Sequence, residues 1–224
     1  MVQSVFLKFK DVLLIWINLM NRRIFKDKKL VIASHNKGKI IEIKDLLTPL
    51  NIEILSAYDF NIEEPEENGA TFEENARIKS FFVTQKTGLP SISDDSGICF
   101  SDLNNDPGIY SARWAGLNKD FYSAMSKINT AIKEVKQPNY DCYFICCLSI
   151  SWPDKFNVTV SGKVHGKFSW PPKGDKGFGY DPIFKPLGYD MTFAEMDSNF
   201  KHKISHRSIA FNKLINLCFP NLKC

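Results

Sequence analysis

The sequence predicts an α/β protein built on a mixed β-sheet, and three observations carry that prediction. From residue 30 onward, short apolar runs alternate with segments of helical periodicity, as in interleaved strands and helices. Residues 142–152 are apolar on both faces, as a central strand is, and lead across Pro153-Asp154 into a second arm at 156–166, so a hairpin adds antiparallel pairing. The chain then closes on an amphipathic helix. Its 224 residues suit one domain, or two lobes sharing one sheet, and no internal repeat is visible.

In order, residues 30–34 form a short strand that runs into Ser34-His35-Asn36-Lys37-Gly38-Lys39. The segment 39–50 is a helix, with Ile40, Ile43, Leu46, Leu47 and Leu50 on its apolar stripe, punctuated by Pro49 and Asn51. Residues 51–57 form a second strand on Ile52 and Ile54. An acidic loop follows at 61–69, with Glu63, Glu64, Glu66 and Glu67 around Pro65. Thr71 and Glu74 make a capping box for a helix that runs to Thr87 and stops at Gly88. A third strand at 89–93 delivers Asp94-Asp95-Ser96-Gly97 at its end. A helix over 121–136 precedes the hairpin, and 170–180 is a Gly/Pro-rich loop. Ser205 caps the last helix, whose buried side carries Ile209, Phe211, Leu214, Ile215 and Cys218.

Composition narrows the class. Hydrophobic residues are 44% and charged residues 24%, ordinary for a globular domain. The net charge of +4 favours polyanions, yet the lysines are scattered, which argues against nucleic acid as the partner. The six cysteines form no CxxC pair and fit no zinc spacing, so reduced thiols in a cytoplasmic protein are the economical reading. Residues 1–28 read as an N-terminal extension, in which Lys8 and Lys10 precede an apolar run at 12–20. That run is too short to span a bilayer and has no small-residue cleavage site after it, so no membrane partner is expected. The extension is either a start placed too early, with Met20 the true start, or an extra amphipathic helix. The functional domain is 29–224.

Four constellations carry chemistry. The first is the turn from Ser34 to Lys39, where a helix starts directly after a strand. Its free N–H groups and partial positive charge suit an anion, Gly38 allows close approach, and Lys37 and Lys39 add charge. Alone, it is equally an ordinary polar turn. The second pairs Glu66-Glu67 with Asp94-Asp95. Mg²⁺ takes one or two carboxylates plus phosphates and water, and adjacent aspartates on a strand point opposite ways, so one should face the cleft. Glu66 and Glu67 alone would pass for a solvated loop. In the third, glycines flank Phe178 in Gly177-Phe178-Gly179-Tyr180-Asp181-Pro182, freeing the ring to lie over a flat ligand; the bland reading is a turn with a core anchor. In the fourth, Lys201 and Ile204-Ser205-His206-Arg207 gather donors at a helix start, although a lone His206 is more often structural.

In this order and spacing, these motifs, with Thr71-Phe72-x-Glu74-Asn75-Ala76 and Pro107-Gly108-Ile109-Tyr110-Ser111-Ala112-Arg113, resemble the inosine triphosphate pyrophosphatase family. The resemblance covers nearly everything after the extension. It implies an elongated two-lobed α/β subunit around a long mixed sheet flanked by helices, a homodimer, and Mg²⁺-dependent cleavage of non-standard purine nucleoside triphosphates to monophosphate and pyrophosphate. Carried across, Ser34, His35, Asn36, Lys37, Gly38 and Lys39 would hold the triphosphate. Glu66 and Asp95 would bind Mg²⁺, with Asp95 as proton acceptor and Lys39 catalytic. Ser96, Phe178, Gly179, Tyr180, Asp181, Lys201, His206 and Arg207 would contact substrate. Asn199-Phe200 stands where acidic residues are usual in the family, and Ser208 where glycine is, without removing a proposed catalytic group. The competing readings are a pyrophosphatase for pyrimidine or modified nucleotides and a nucleic-acid-binding module.

Overall fold

The computed structural model describes residues 23–220. One six-stranded sheet runs in the order β2-β1-β3-β4-β5-β6. The strands are β1 Lys29–Ile32, β2 Glu53–Ser56, β3 Ser91–Phe100, β4 Asp141–Ser151, β5 Asn157–Phe168 and β6 Phe184–Pro186. The helices are α1 Lys37–Leu47, α2 Phe72–Thr87, α3 Ser111–Trp114, α4 Phe121–Lys133, α5 Ser198–Ile204 and α6 His206–Cys218. β2 and β3 lie parallel to β1, and parallel neighbours need a crossover, supplied here by α1 and α2. β3 to β6 pair antiparallel, so the sheet is mixed.

Two apolar cores share the long strands. Ile92 of β3, Leu148 and Ile150 of β4 and Val158 of β5 pack with Ile43 and Leu47 of α1 and Leu214 and Ile215 of α6. Further along the same strands, Ile98, Phe100 and Phe144 pack with Ile128 and Ile132 of α4 and with Phe184 and Phe193. These two cores are the two lobes. The opposite face of β3 carries Ser91, Ser93, Asp95, Gly97 and Cys99, beneath α2.

β1 pairs with β3 only through Val31–Ser91 and Ile32–Ile92. Past that point β3 continues while β1 turns away into α1. An opening therefore forms at the carboxyl ends of two parallel strands, where open α/β sheets bind ligands.

Several boundaries differ from the sequence reading. Asp94-Asp95-Ser96-Gly97 lies inside β3 rather than at a strand end, because β4 pairs with it through to Phe100. The first helix starts at Lys37 and ends at Leu47, its last turn tightened to a 3₁₀ segment around Pro49. The helix over 121–136 stops at Lys133. α5 was not legible, being only seven residues long. Thr71 caps α2 as expected, accepting from the Glu74 amide at 3.1 Å, but the Glu74 carboxylate takes the Ala70 N–H one residue earlier.

Most of the N-terminal extension lies outside the described residues. Residues 23–28 pack on the domain: Phe25 is buried against Trp152 and Phe219, and its N–H donates to the Cys218 carbonyl at 2.7 Å. Cys99, Cys142, Cys146, Cys147 and Cys218 are buried within apolar clusters. No helix among the described residues is long and apolar enough to cross a membrane.

Candidate active site

The opening beside β3 is a cavity of about 430 Å³, a size that suits a nucleotide-sized ligand. Four elements build its polar wall. Ser34 and Asn36 come from the β1–α1 turn, Lys39 from α1, Asp95 and Ser96 from β3, and Lys79 from α2. Asn36 caps α1 by accepting from the Lys39 amide at 3.2 Å, and Ser34 Oγ accepts from the Asn36 amide at 3.2 Å. The turn is thus fixed with the helix start, and its partial positive charge, at the cavity.

The two aspartates divide their work by strand alternation. Asp94 is wholly buried and bonded to Lys39 Nζ at 2.7 Å, Arg207 Nε at 2.8 Å, Ser96 Oγ at 2.8 Å and Cys146 Sγ at 3.0 Å. Burial alone would raise its pKa; Arg207 and Lys39 outweigh burial and hold it well below the usual carboxylate range. Asp94 is a fixed anion that positions cations. Asp95 points the other way and lines the cavity. Its Oδ1 accepts from Lys79 Nζ at 3.1 Å, while its Oδ2 is buried and has no hydrogen-bond partner among the described residues. Burial raises its pKa against the pull of Lys79 and Lys39, making it the more proton-avid of the pair.

Lys79 bridges Asp95 and the carboxylate of Glu67. Burial would lower its pKa, but Asp95 and Glu67 raise it, so it stays charged. Sequence reasoning did not single out Lys79. The signal was present: it falls on the stripe Phe72, Ala76, Lys79, Val83, a lysine on the buried side of a helix.

At the other end, Phe178 lies over Gly38, where a Cβ would sit 3.0 Å from the ring. Lys201 Nζ is 5.0 Å from the Phe178 centroid and Arg207 Cζ 6.0 Å. Lys201 Nζ bonds Asp181 at 2.7 Å and Glu42 at 3.2 Å. Arg207 also bonds Glu42 and donates from Nη2 to Ser96 Oγ at 3.3 Å. His206 is buried, stacks on Phe144 at 4.8 Å and has no partner for Nδ1 among the described residues. Burial, then Arg207, drives its pKa well down, so the ring is neutral. The Tyr180 hydroxyl donates to the Ser111 carbonyl at 2.8 Å, fixing the glycine-rich loop to α3.

Of the residues expected at the site, Ser34, Asn36, Lys39, Asp95, Ser96, Phe178, Gly179, Tyr180, Asp181, Lys201, His206 and Arg207 line this one cavity. The remaining four, His35, Lys37, Gly38 and Glu66, do not line it. His35 faces away, its Nε2 2.8 Å from the Ile62 carbonyl and its ring edge-on to Tyr58. Lys37 is exposed, and Gly38 acts as the seat of Phe178. Glu66 is exposed and does not line the cavity, whereas Glu67 does. Exposure alternates residue by residue along 64–70, as in an extended chain, so neighbouring acids face opposite ways.

Asp95 and Glu67 fit a hard divalent cation: both are oxygen donors facing one cavity, and Asp95 Oδ2 is a buried acceptor without a hydrogen-bond partner among the described residues, Lys79 being bonded to Oδ1. A mixed α/β sheet whose carboxyl-end cleft combines a helix start, lysines, a carboxylate pair and a glycine-flanked aromatic defines a nucleotide-binding α/β protein with a candidate metal-assisted site.

The chain belongs to the Ham1 family, whose model matches residues 30–217. It is 45% identical to a dITP/XTP pyrophosphatase of Zymomonas mobilis over 198 residues, 88% of this chain and 95% of that one. It is also 45% identical to one of Rhizobium meliloti, covering 86% and 96%. Among solved structures it resembles a HAM1 protein of Coxiella burnetii, with a TM-score of 0.79 and 34% identity over 85% of this chain and 98% of that one. The Staphylococcus aureus Ham1 protein gives a TM-score of 0.75 at 37% identity, covering 84% and 96%.

Proposed function

We propose that this protein hydrolyses non-standard purine nucleoside triphosphates, the inosine and xanthosine forms, between the α and β phosphates, clearing them from the nucleotide pool. One observation carries the reading: Asp95, whose buried Oδ2 has no hydrogen-bond partner among the described residues, shares a single cavity with Glu67, Lys39, Lys79, Lys201, a helix start and Phe178. The names of the relatives support the same reading.

The α1 start, Ser34 and Lys39 bind the phosphate chain, and Lys79 faces it from α2. Asp95 accepts the proton of the attacking water, a role its raised proton affinity suits. Mg²⁺, held by Asp95 and Glu67, would neutralise phosphate oxygens and the pyrophosphate leaving group when bound. Phe178 stacks on the base. Lys201 and Arg207 offer donors to a 6-keto oxygen, which adenine replaces with an amino group; donors left unpaired against the wrong base give large discrimination. The homodimer implied by the family resemblance and the cytoplasmic location read from the cysteines belong to the same proposal, and sedimentation equilibrium checks the first.

The test is pyrophosphate release from inosine, xanthosine, guanosine, adenosine and thymidine triphosphates, each with and without Mg²⁺. Inosine and xanthosine triphosphates should be preferred and the metal required. Asp95→Asn should lower turnover by roughly 10²–10⁴-fold with the fold intact. Near-normal turnover by that variant would refute the role of Asp95.

A further inference from the structure

The loop that carries Glu67 is poorly tethered. Glu63, Glu64, Glu66 and Glu67 crowd like charges onto it. Ile62 is pinned at one end by His35, and the Gly69 amide at the other by Asn75 Oδ1 at 2.8 Å. Between those points, among the described residues, the main chain of 63–68 makes one hydrogen bond: Arg113 Nη2 donates to the Glu67 carbonyl at 2.5 Å.

Arg113 stands on a rigid base. Ser111, two residues earlier, is buried, accepts from the Ile98 amide of β3 at 3.0 Å and donates to the Gly108 carbonyl at 2.6 Å. Its own carbonyl receives the Tyr180 hydroxyl. The guanidinium lies 5.2 Å from the Tyr110 ring centroid and lines the cavity from the wall opposite α2. Glu67 is therefore gripped twice, its carboxylate by Lys79 of α2 and its carbonyl by Arg113 of α3.

We propose that Arg113 is a positioning residue for the metal site: by fastening the Glu67 carbonyl to α3, it keeps the Glu67 carboxylate opposite Asp95. This rests on the metal-dependent reading above. Groups that orient a ligand typically change metal affinity by about 10–100-fold when removed.

The experiment compares wild type, Arg113→Ala and Arg113→Lys. Mn²⁺ binding without nucleotide is followed by electron paramagnetic resonance, and inosine triphosphate turnover is measured across a Mg²⁺ series. For Arg113→Ala, the Mn²⁺ dissociation constant and half-saturating Mg²⁺ should both rise by about 10-fold or more, with kcat recovered at saturating metal. Arg113→Lys, which can still donate one bond, should recover part of the loss. General structural damage would not be repaired by metal. Unchanged Mn²⁺ affinity in Arg113→Ala overturns the proposal, and so does a fall in kcat that saturating metal leaves in place. Metal-independent turnover by wild type would overturn the metal reading itself, and this one with it.

Discussion

At the residue scale, the site depends on which way each charged side chain points. Asp94 and Asp95 are chemically identical and adjacent, yet one is a fixed anion deep in a cation cluster and the other a cavity-facing carboxylate of raised proton affinity. The sequence announced that they must diverge. Alternation alone did not say which faced the cleft, because that depends on the pairing with β4 and on where β1 ends; only the family resemblance pointed to Asp95. Which of Glu66 and Glu67 lines the cavity turns on the same thing: one residue of register in an extended loop decides it. Lys79 gives a sharp test at this scale. Lys79→Met would leave Glu67 and Asp95 facing each other without their shared cation, and breaking a buried pair costs about 3–5 kcal/mol. In metal-free buffer, thermal denaturation should show a melting temperature lower by roughly 6–20 °C. Added Mg²⁺ should restore part of the loss. A metal-free midpoint like that of wild type would show that Lys79 does not offset the two acids.

At the scale of elements, α6 presses unusually close to the sheet. A Cβ on Gly162 of β5 would fall on the His206 carbonyl and the Ala210 amide, inside the closest approach that such atoms make. Glycine here lets the helix backbone sit against the strand, which sets His206 and Arg207 at the cavity wall. Gly162→Ala should push the start of α6 outward. The expected cost is about 1–3 kcal/mol of stability, seen in urea unfolding, together with a raised KM although residue 162 lies outside the cavity. A normal KM in a destabilised variant would uncouple the strand contact from the binding wall. Elements marked by apolar periodicity, α1, α4, α6 and the β4–β5 hairpin, were readable from the chain, and α2 was readable from its cap and the Gly88 stop. β3 was only half readable, because its second half is written in aspartate, serine and glycine, residues that local propensity assigns to turns. Ten consecutive pairs with β4 override that propensity.

Across the whole molecule, the buried charges make stability depend on pH. His206 is buried and neutral in the fold, with a pKa well below its ordinary 6.5. Below about pH 6.5 the unfolded chain therefore binds a proton that the folded one does not, and stability falls as pH falls through that window. The slope from this group is up to about 1.4 kcal/mol per pH unit. His206→Phe keeps an aromatic ring against Phe144 and should flatten this part of the curve between about pH 6.5 and 5, as read from denaturant midpoints. An equally steep curve in the variant would assign the dependence to other groups. Length and alternating elements left one domain or two lobes open, and the family resemblance implied the two-lobed plan. What the sequence could not show was that three long antiparallel strands, β3, β4 and β5, serve both cores, since that needs the sheet order.

β3 has no tolerance for a change in length. Adding or deleting one residue between Ile92 and Asp95 would rotate the following side chains by half a turn. Asp95 would then be buried among arginine and lysine, and Asp94 delivered to the cavity. Drift in this lineage can lengthen the turn at 152–156 or remodel the loops around the mouth, but it must conserve the count of residues along this strand even where it changes their identity.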